Sequence, residues 1–275
     1  MSSTSANATN NNQRPVIVLA AFGTSVDEAR EVFDFIDSRA RQRYPDHEIE
    51  WAFTSQFIIN KLKRRGIVTR TLAEVIAGLR TRGVRQIAIQ SLHVVPGQEY
   101  HIIPGTDTRG LQVAYGAPLL AGAADIEATI DALAPEIDPE TATVVIAHGN
   151  DHHPEYNVQL EKFAVAIEAR YPRLTVASVE GTPGIAGLET VKARQPDQVH
   201  FVPLMIVAGD HILNDVLGDE EESWKNIIQA PQTSCSKSLG WNPAILEIYF
   251  EHLDQALNSL RKNWIRHDTD RNTRD

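Results

Sequence analysis

The stretch "TATVVIAHG" (141–149) decides the fold, because the chain carries its pattern once before. "PVIVLAAFG" (15–23) has the same form: an apolar run, one ring-bearing residue, then glycine. Such runs fit strands buried on both faces of a parallel sheet. Placing Phe22 on His148 sets an offset of 126 residues. That offset brings Tyr44-Pro45 within one residue of Tyr171-Pro172, and lays Phe53-Thr54-Ser55 on Val179-Glu180-Gly181. Further on the offset falls to 112. "IQSLHVVPGQEY" (89–100) then lies on "FVPLMIVAGDHI" (201–212), with Leu92 on Leu204, Gly97 on Gly209 and Glu99 on His211. One shorter loop in the second half accounts for the change.

Around these runs strands and helices alternate twice. In the first half, strands are expected over 15–22, 48–54 and 86–95. Helices are expected over 26–44, with Ser25 as its cap, and over 71–83. In the second half, strands are expected over 141–148, 174–180 and 198–207, with helices over 157–171 and 185–195. The order is that of doubly wound α/β structure. Identities between the halves are few; the shared element order favours two similar domains with pseudo-twofold symmetry and a cleft between them. We expect a tail at 1–14, an N-terminal α/β domain at 15–135, a C-terminal domain at 136–265 and a polar tail at 266–275. The linker falls at "APEIDPET" (134–141). An amphipathic helix at 242–260 closes the second domain, with Leu246, Tyr249, Leu253, Leu257 and Leu260 on one face.

Composition narrows the function. The net charge of −10 argues against a nucleic-acid binder. No apolar run reaches the ~20 residues of a membrane span. The polar start "MSSTSANATNNNQR" has no secretory apolar segment, so a cytoplasmic protein is expected, and a periplasmic one only if the numbering begins after processing. The single cysteine, Cys235, excludes an intrachain disulfide and a cysteine-built zinc site. Neither GxGxxG after the first strand, nor GxxxxGK[ST], nor Gly-x-Ser-x-Gly is present, so no nucleotide cofactor or hydrolase elbow is expected.

Ligands of open α/β sheets bind at the carboxyl ends of strands. There the second half sets His148, Glu180 and His211 in three successive loops; the first half offers Phe22, Thr54 and Glu99. Two imidazoles and a carboxylate suit a borderline divalent metal such as Co²⁺, Ni²⁺, Fe²⁺ or Zn²⁺, with positions left open for a substrate. Each histidine taken alone reads more simply as structural; it is the grouping in equivalent loops that suggests a shared site. Asp210 and Asp215 flank His211 and fit either as its hydrogen-bond supports or as helix-start acids. His152 and His153 lie near the expected cleft mouth, and His93 in a strand suits a satisfied core histidine. "KLKRRG" (61–66) is either a solvated helix end or an anchor for an anion.

Taken in order, "AFGTS", "AFTS" (52–55), "IQSLHVVPGQEY", "AHGNDHH" (147–153), "VEGTPG" (179–184), "PLMIVAGDHILND" (203–215), "DEEESWK" (219–225) and "NPAI" (242–245) resemble the anaerobic cobalt chelatases, class II tetrapyrrole chelatases. The resemblance runs from about residue 15 to 260. It implies two flavodoxin-like domains and ATP-independent insertion of Co²⁺ into sirohydrochlorin, on the early cobalt-insertion route to cobalamin. Cobalt is then a substrate, and neither a nucleotide nor an organic cofactor is required. It also implies that His148 and His211 are active-site histidines, that Glu180 joins them as a metal ligand, and that Glu99 is a further active-site glutamate. One of the histidines, or Glu99, would accept a pyrrole proton. Expected contacts to the eight-carboxylate macrocycle are Phe22, Thr24, Ser25, Lys61, Arg64, His93 and His153. A preference for Fe²⁺ or Ni²⁺, or a non-catalytic tetrapyrrole or metal carrier, are the alternatives. No nucleic-acid or membrane partner is expected, and a homo-oligomer is compatible with the sequence.

Overall fold

A computed structural model describes residues 14–272, with helical backbone alone over 263–272. The expected tail at 1–14 lies outside the described residues except for Arg14, as do 273–275 of the second tail.

Two four-stranded parallel sheets form, with the same strand order. The first sheet contains β1 (Val16–Ala21), β2 (Ile49–Phe53), β3 (Gln86–Ser91) and β4 (Gln112–Gly116), ordered β2-β1-β3-β4. The second contains β5 (Ala142–Ala147), β6 (Leu174–Ser178), β7 (Gln198–Pro203) and β8 (Gln232–Cys235), ordered β6-β5-β7-β8. This is the flavodoxin-like order without its fifth strand. All six residues of β1 and of β5 are buried, as central strands between two helical layers require. The edge strands β4 and β8 were not expected: each is short and half-exposed, so neither writes an apolar run.

The helices follow local rules. Helix α1 (Asp27–Arg43) begins with Asp27 and Glu28 and ends with Arg41 and Arg43, complementing its dipole. Its N-cap is Val26 rather than Ser25; the Thr24 hydroxyl accepts the Val26 N–H at 3.2 Å. Helix α2 (Gln56–Arg64) is capped by Ser55. Helix α3 (Leu72–Thr81) starts with a capping box of Thr71 and Glu74. The chain continues through α4 (Gln98–Gly105), α5 (Ala123–Leu133), α6 (Val158–Arg170), α7 (Ala186–Ala193), α8 (Trp224–Ile228) and α9 (Pro243–Asn272). No described helix is long and apolar enough to cross a membrane.

Backbone bonds confirm the repeat and correct its register. Leu92 N donates to Ala20 O at 2.8 Å, and Leu204 N to Ile146 O at 2.7 Å. Tyr44 and Tyr171 both cap the ends of their helices. At the second strand, however, Ala21 pairs with Phe53 while Ala147 pairs with Ser178. The offset there is 125, so Thr54 matches Val179, and Glu180 matches Ser55. A one-residue slip is invisible where identities are sparse.

Helix α9 differs more from expectation. It covers β3 and β4 of the first sheet, not the second domain in which the sequence places it. Tyr249 Oη donates to His93 O at 3.0 Å, and His252 bridges Ala117 O and Asp125 Oδ1 at 3.1 and 3.0 Å. Tyr44 Oη donates to Phe250 O at 3.0 Å, and Arg43 pairs with Asp254 at 2.9 Å. The helix also runs through 272, so 266–272 continue it. Its apolar stripe shares one core with α1, α5 and α6, which joins the two halves. Burying each large aliphatic side chain there contributes about 1.5–3 kcal/mol.

Candidate active site

The carboxyl ends of both sheets face one another. Among the described residues, loops from the two halves meet there. A Cβ on Gly209 would lie 3.3 Å from Thr24 Oγ1, so the two loops nearly touch. Lys61 Nζ lies 3.6 Å from Asp210 Oδ2. The His101 and Tyr156 rings have centroids 5.4 Å apart.

His148 follows β5 directly, and His211 stands at the start of a π-helical turn, Ile212–Val216. Their rings meet edge to face, with centroids 4.9 Å apart. His148 Nδ1 lies 2.8 Å from Gly149 O; since a carbonyl only accepts, Nδ1 carries the proton. His211 Nδ1 lies 2.6 Å from Asp215 Oδ2, which likewise favours the proton on Nδ1. In the neutral form both imidazoles therefore present Nε2 lone pairs, the state a metal needs.

Glu180 comes to His148 through the backbone. Its N–H donates to His148 O at 2.8 Å. Gly149 makes this possible: its φ is +74°, and a Cβ would stand 1.7 Å from Glu180 O. The Gly181 N–H donates to the Asp151 carboxylate and ties the two loops. Yet no set of three His, Cys, Asp or Glu side chains among the described residues is arranged to hold a metal. The structure thus joins the two histidines and sets the Glu180 backbone against that of His148, without closing a three-ligand shell among the described residues.

Glu99 lies in the first turn of α4, half-buried. Burial raises its pKa, opposed by the neighbouring Thr54 hydroxyl. Its Oε2 is buried with no partner among the described residues. His93 stands past the end of β3, not within a strand. Ser91 and Thr54 flank its two ring nitrogens at 2.9 and 3.1 Å. Burial pushes its pKa down to about 4, so it is neutral near pH 7.

The remaining expected contacts divide. Phe22 is exposed at its strand end, and Arg64 is exposed on α2. Thr24 and Ser25 are buried, with the Thr24 hydroxyl and the Ser25 carbonyl turned to internal bonds; they shape the loop. His153 Nδ1 meets Glu155 Oε1 at 3.1 Å. Asp215 Oδ2 lies 2.6 Å from His211 Nδ1, whereas Asp210 is drawn to Lys61 across the gap. A hollow of about 530 Å³ along α1 and β2, between Asp27, Asp34 and Trp51, includes none of these residues.

A family model described as cobalt chelatase (CbiK) matches residues 15–258. The chain belongs to the cobalt chelatase family. The sirohydrochlorin cobaltochelatase of Salmonella typhimurium is 32% identical over 262 residues, covering 89% of this chain and 97% of that relative. Sirohydrochlorin cobaltochelatase CbiKC of Nitratidesulfovibrio vulgaris is 28% identical over 258 residues, covering 89% and 91%. Among solved structures, SirB from Bacillus subtilis with Fe³⁺ superposes with a TM-score of 0.62 at 15% identity, covering 90% of this chain and 97% of that one. CbiX, the terminal enzyme for biosynthesis of siroheme in denitrifying bacteria, gives 0.54 at 13%, covering 88% of this chain and 99% of that one. At such identities these two show the shared chelatase fold. Sequence reasoning set Thr54 at a strand end without giving it a role, and passed over Ser91, whose only signal is membership of "IQSLH"; the bond from Thr54 to His93 joins residues distant in sequence.

Proposed function

We propose that this cobalt chelatase inserts Co²⁺ into sirohydrochlorin without ATP, at the facing carboxyl ends of the two sheets. The observation that carries the reading is the His148–His211 pair, each ring turned so that Nε2 is the free donor. The named activity of the two curated relatives supports the choice of substrate and metal.

The chemistry follows from the groups present. Two Nε2 lone pairs hold the incoming metal as its waters leave, with Glu180 completing the set when its side chain swings in. The macrocycle's nitrogen lone pairs then replace the protein ligands. Two pyrrole protons must depart as the metal's two charges arrive. With both imidazole lone pairs on the metal, Glu99 accepts the first proton, its proton affinity raised by burial; the second goes to an imidazole Nε2 freed as the macrocycle takes the metal. Lys61 and Arg64 meet the anionic periphery of the substrate. The Lys61–Asp210 pair is exposed, worth at most about 1 kcal/mol, and exchanges readily for a substrate carboxylate.

The test is visible spectroscopy of purified protein with sirohydrochlorin and Co²⁺, with Fe²⁺ and Ni²⁺ in parallel. Turnover faster than the protein-free rate, fastest with Co²⁺, is expected. Stoichiometric binding without turnover would replace this reading by that of a carrier.

A further inference from the structure

Glu180 joins the proposed metal set by swinging its side chain, so its backbone must be held from elsewhere. Two successive amides are fixed. The Glu180 N–H donates to His148 O at 2.8 Å, and the Gly181 N–H donates to the Asp151 carboxylate. These bonds lie on either side of the Glu180 Cα. They restrict its two backbone torsions and leave the side chain to rotate. Asp151 is exposed, but its loop is braced from behind. Asn157, 3% exposed, donates from Nδ2 to Asn150 O at 2.9 Å, and Asn150 Oδ1 accepts the His153 N–H at 2.7 Å. Gly181 packs into this brace with φ at +63°; a Cβ there would stand 2.3 Å from Asn150 O and 2.6 Å from Asn157 Nδ2. Past Glu180, Thr182 Oγ1 donates to Glu161, and the Gly184 N–H donates to Ser178 Oγ at 2.7 Å.

The first half holds the matched position by other means. Ser55 stands where the second half has Glu180, and α2 starts at the next residue. The Ser55 hydroxyl accepts the Ile58 N–H at 3.4 Å, so it is spent on capping that helix. In the second half α7 starts only at Ala186, and no helix fixes Glu180. Two residues past the matched glycines, Gly23 and Gly149, the first half has Ser25 and the second Asp151. Ser25 offers its carbonyl to Arg65, whereas Asp151 reaches across to the Glu180 loop.

We infer that Asp151, braced by Asn150 and Asn157, is a positioning residue that anchors the Glu180 backbone, so that the Glu180 carboxylate takes up and releases cobalt by side-chain rotation alone. A chelatase gives its metal away, so a ligand must stand close and still be able to leave. An anchored backbone under a rotating side chain meets both needs. Groups that orient a metal ligand from behind contribute about 10–100-fold in metal affinity. The role toward cobalt rests on the reading of Glu180 as a ligand; the hold on Gly181 does not.

Calorimetric titration of the full chain with Co²⁺ alone tests the role. Asp151→Ala is expected to weaken binding about tenfold, and Asp151→Asn, whose amide oxygen still accepts, to restore most of it. In a Glu180→Ala background, Asp151→Ala should cost nothing further. No loss in the wild-type background, or an equal loss in both, overturns the proposal. Hydrogen exchange at the Gly181 amide, followed by NMR without metal, is expected to be at least about tenfold faster in Asp151→Ala than in wild type. An unchanged rate overturns the proposal as well. A Glu180→Ala variant that binds Co²⁺ as tightly as wild type sinks the ligand reading, and the positioning role with it, whereas the exchange rate still decides whether Asp151 holds the loop.

Discussion

The two halves share a strand order and carry different side chains at matched places around their strand ends. Along the matched register, the first half carries Ser91, His93, Thr54 and Glu99 where the second carries Pro203, Met205, Val179 and His211. One sheet end carries the hydrogen-bonded set of Ser91, His93 and Thr54. The other has apolar side chains there and presents a histidine, with His148 standing opposite Phe22 in the repeat. On the function proposed above, the second rim holds the metal and the first accepts a proton, so two steps that would compete for a single imidazole are separated.

Removing the second half's contribution should do the most damage. His148→Ala combined with His211→Ala is expected to lower the insertion rate at least about a thousandfold, to the protein-free rate. A double variant as fast as wild type would end the assignment. Next comes the first half's carboxyl: Glu99→Gln should lower kcat about a hundredfold while leaving Co²⁺ affinity, measured by calorimetry, unchanged. Loss of metal binding in that variant would show that the halves do not divide the work.

A third test concerns stability. His93 has its pKa depressed from 6.5 to about 4 in the folded protein. Between those values the unfolded chain binds a proton that the native state refuses. The stabilisation is therefore full above pH 6.5 and is lost as pH falls toward 4. It amounts to about 2 kcal/mol once partial access to water is allowed for. Urea titrations from pH 7 to 4 should show this slope in wild type and a flatter one in His93→Gln; parallel slopes would mean that the ring is not held neutral. The smallest effect is expected at the join: Lys61→Met should raise KM about threefold with kcat unchanged, and the difference should fade with added salt.

Much of this was legible in the sequence. β1 and β5 announce themselves because both their faces are buried, and the candidate histidines follow because strands of that kind end where ligands bind. Glycines at matched positions, Gly23 and Gly149, both adopt positive φ and mark the same turn. The edge strands β4 and β8 were not legible, since a strand half in water has no apolar signature. The bonds from Ser91 through His93 to Thr54 were equally hidden. They link positions up to 39 residues apart, and no local periodicity records a side-chain hydrogen bond. Helix α9 showed its apolar face in its sequence, but amphipathicity does not say which sheet that face will cover.

That last feature has a consequence for biosynthesis. Because α9 closes the first sheet, the second α/β unit is nested inside the first. A ribosome finishes β4 at residue 116 and does not begin α9 until residue 243. At about 5–20 residues per second, the uncovered flank of β3 and β4 waits roughly 6–25 s for its cover. The inner unit is complete before the outer one, so the nascent chain matures from its middle outward, and a stalled or truncated product exposes an open apolar sheet that chaperones can bind.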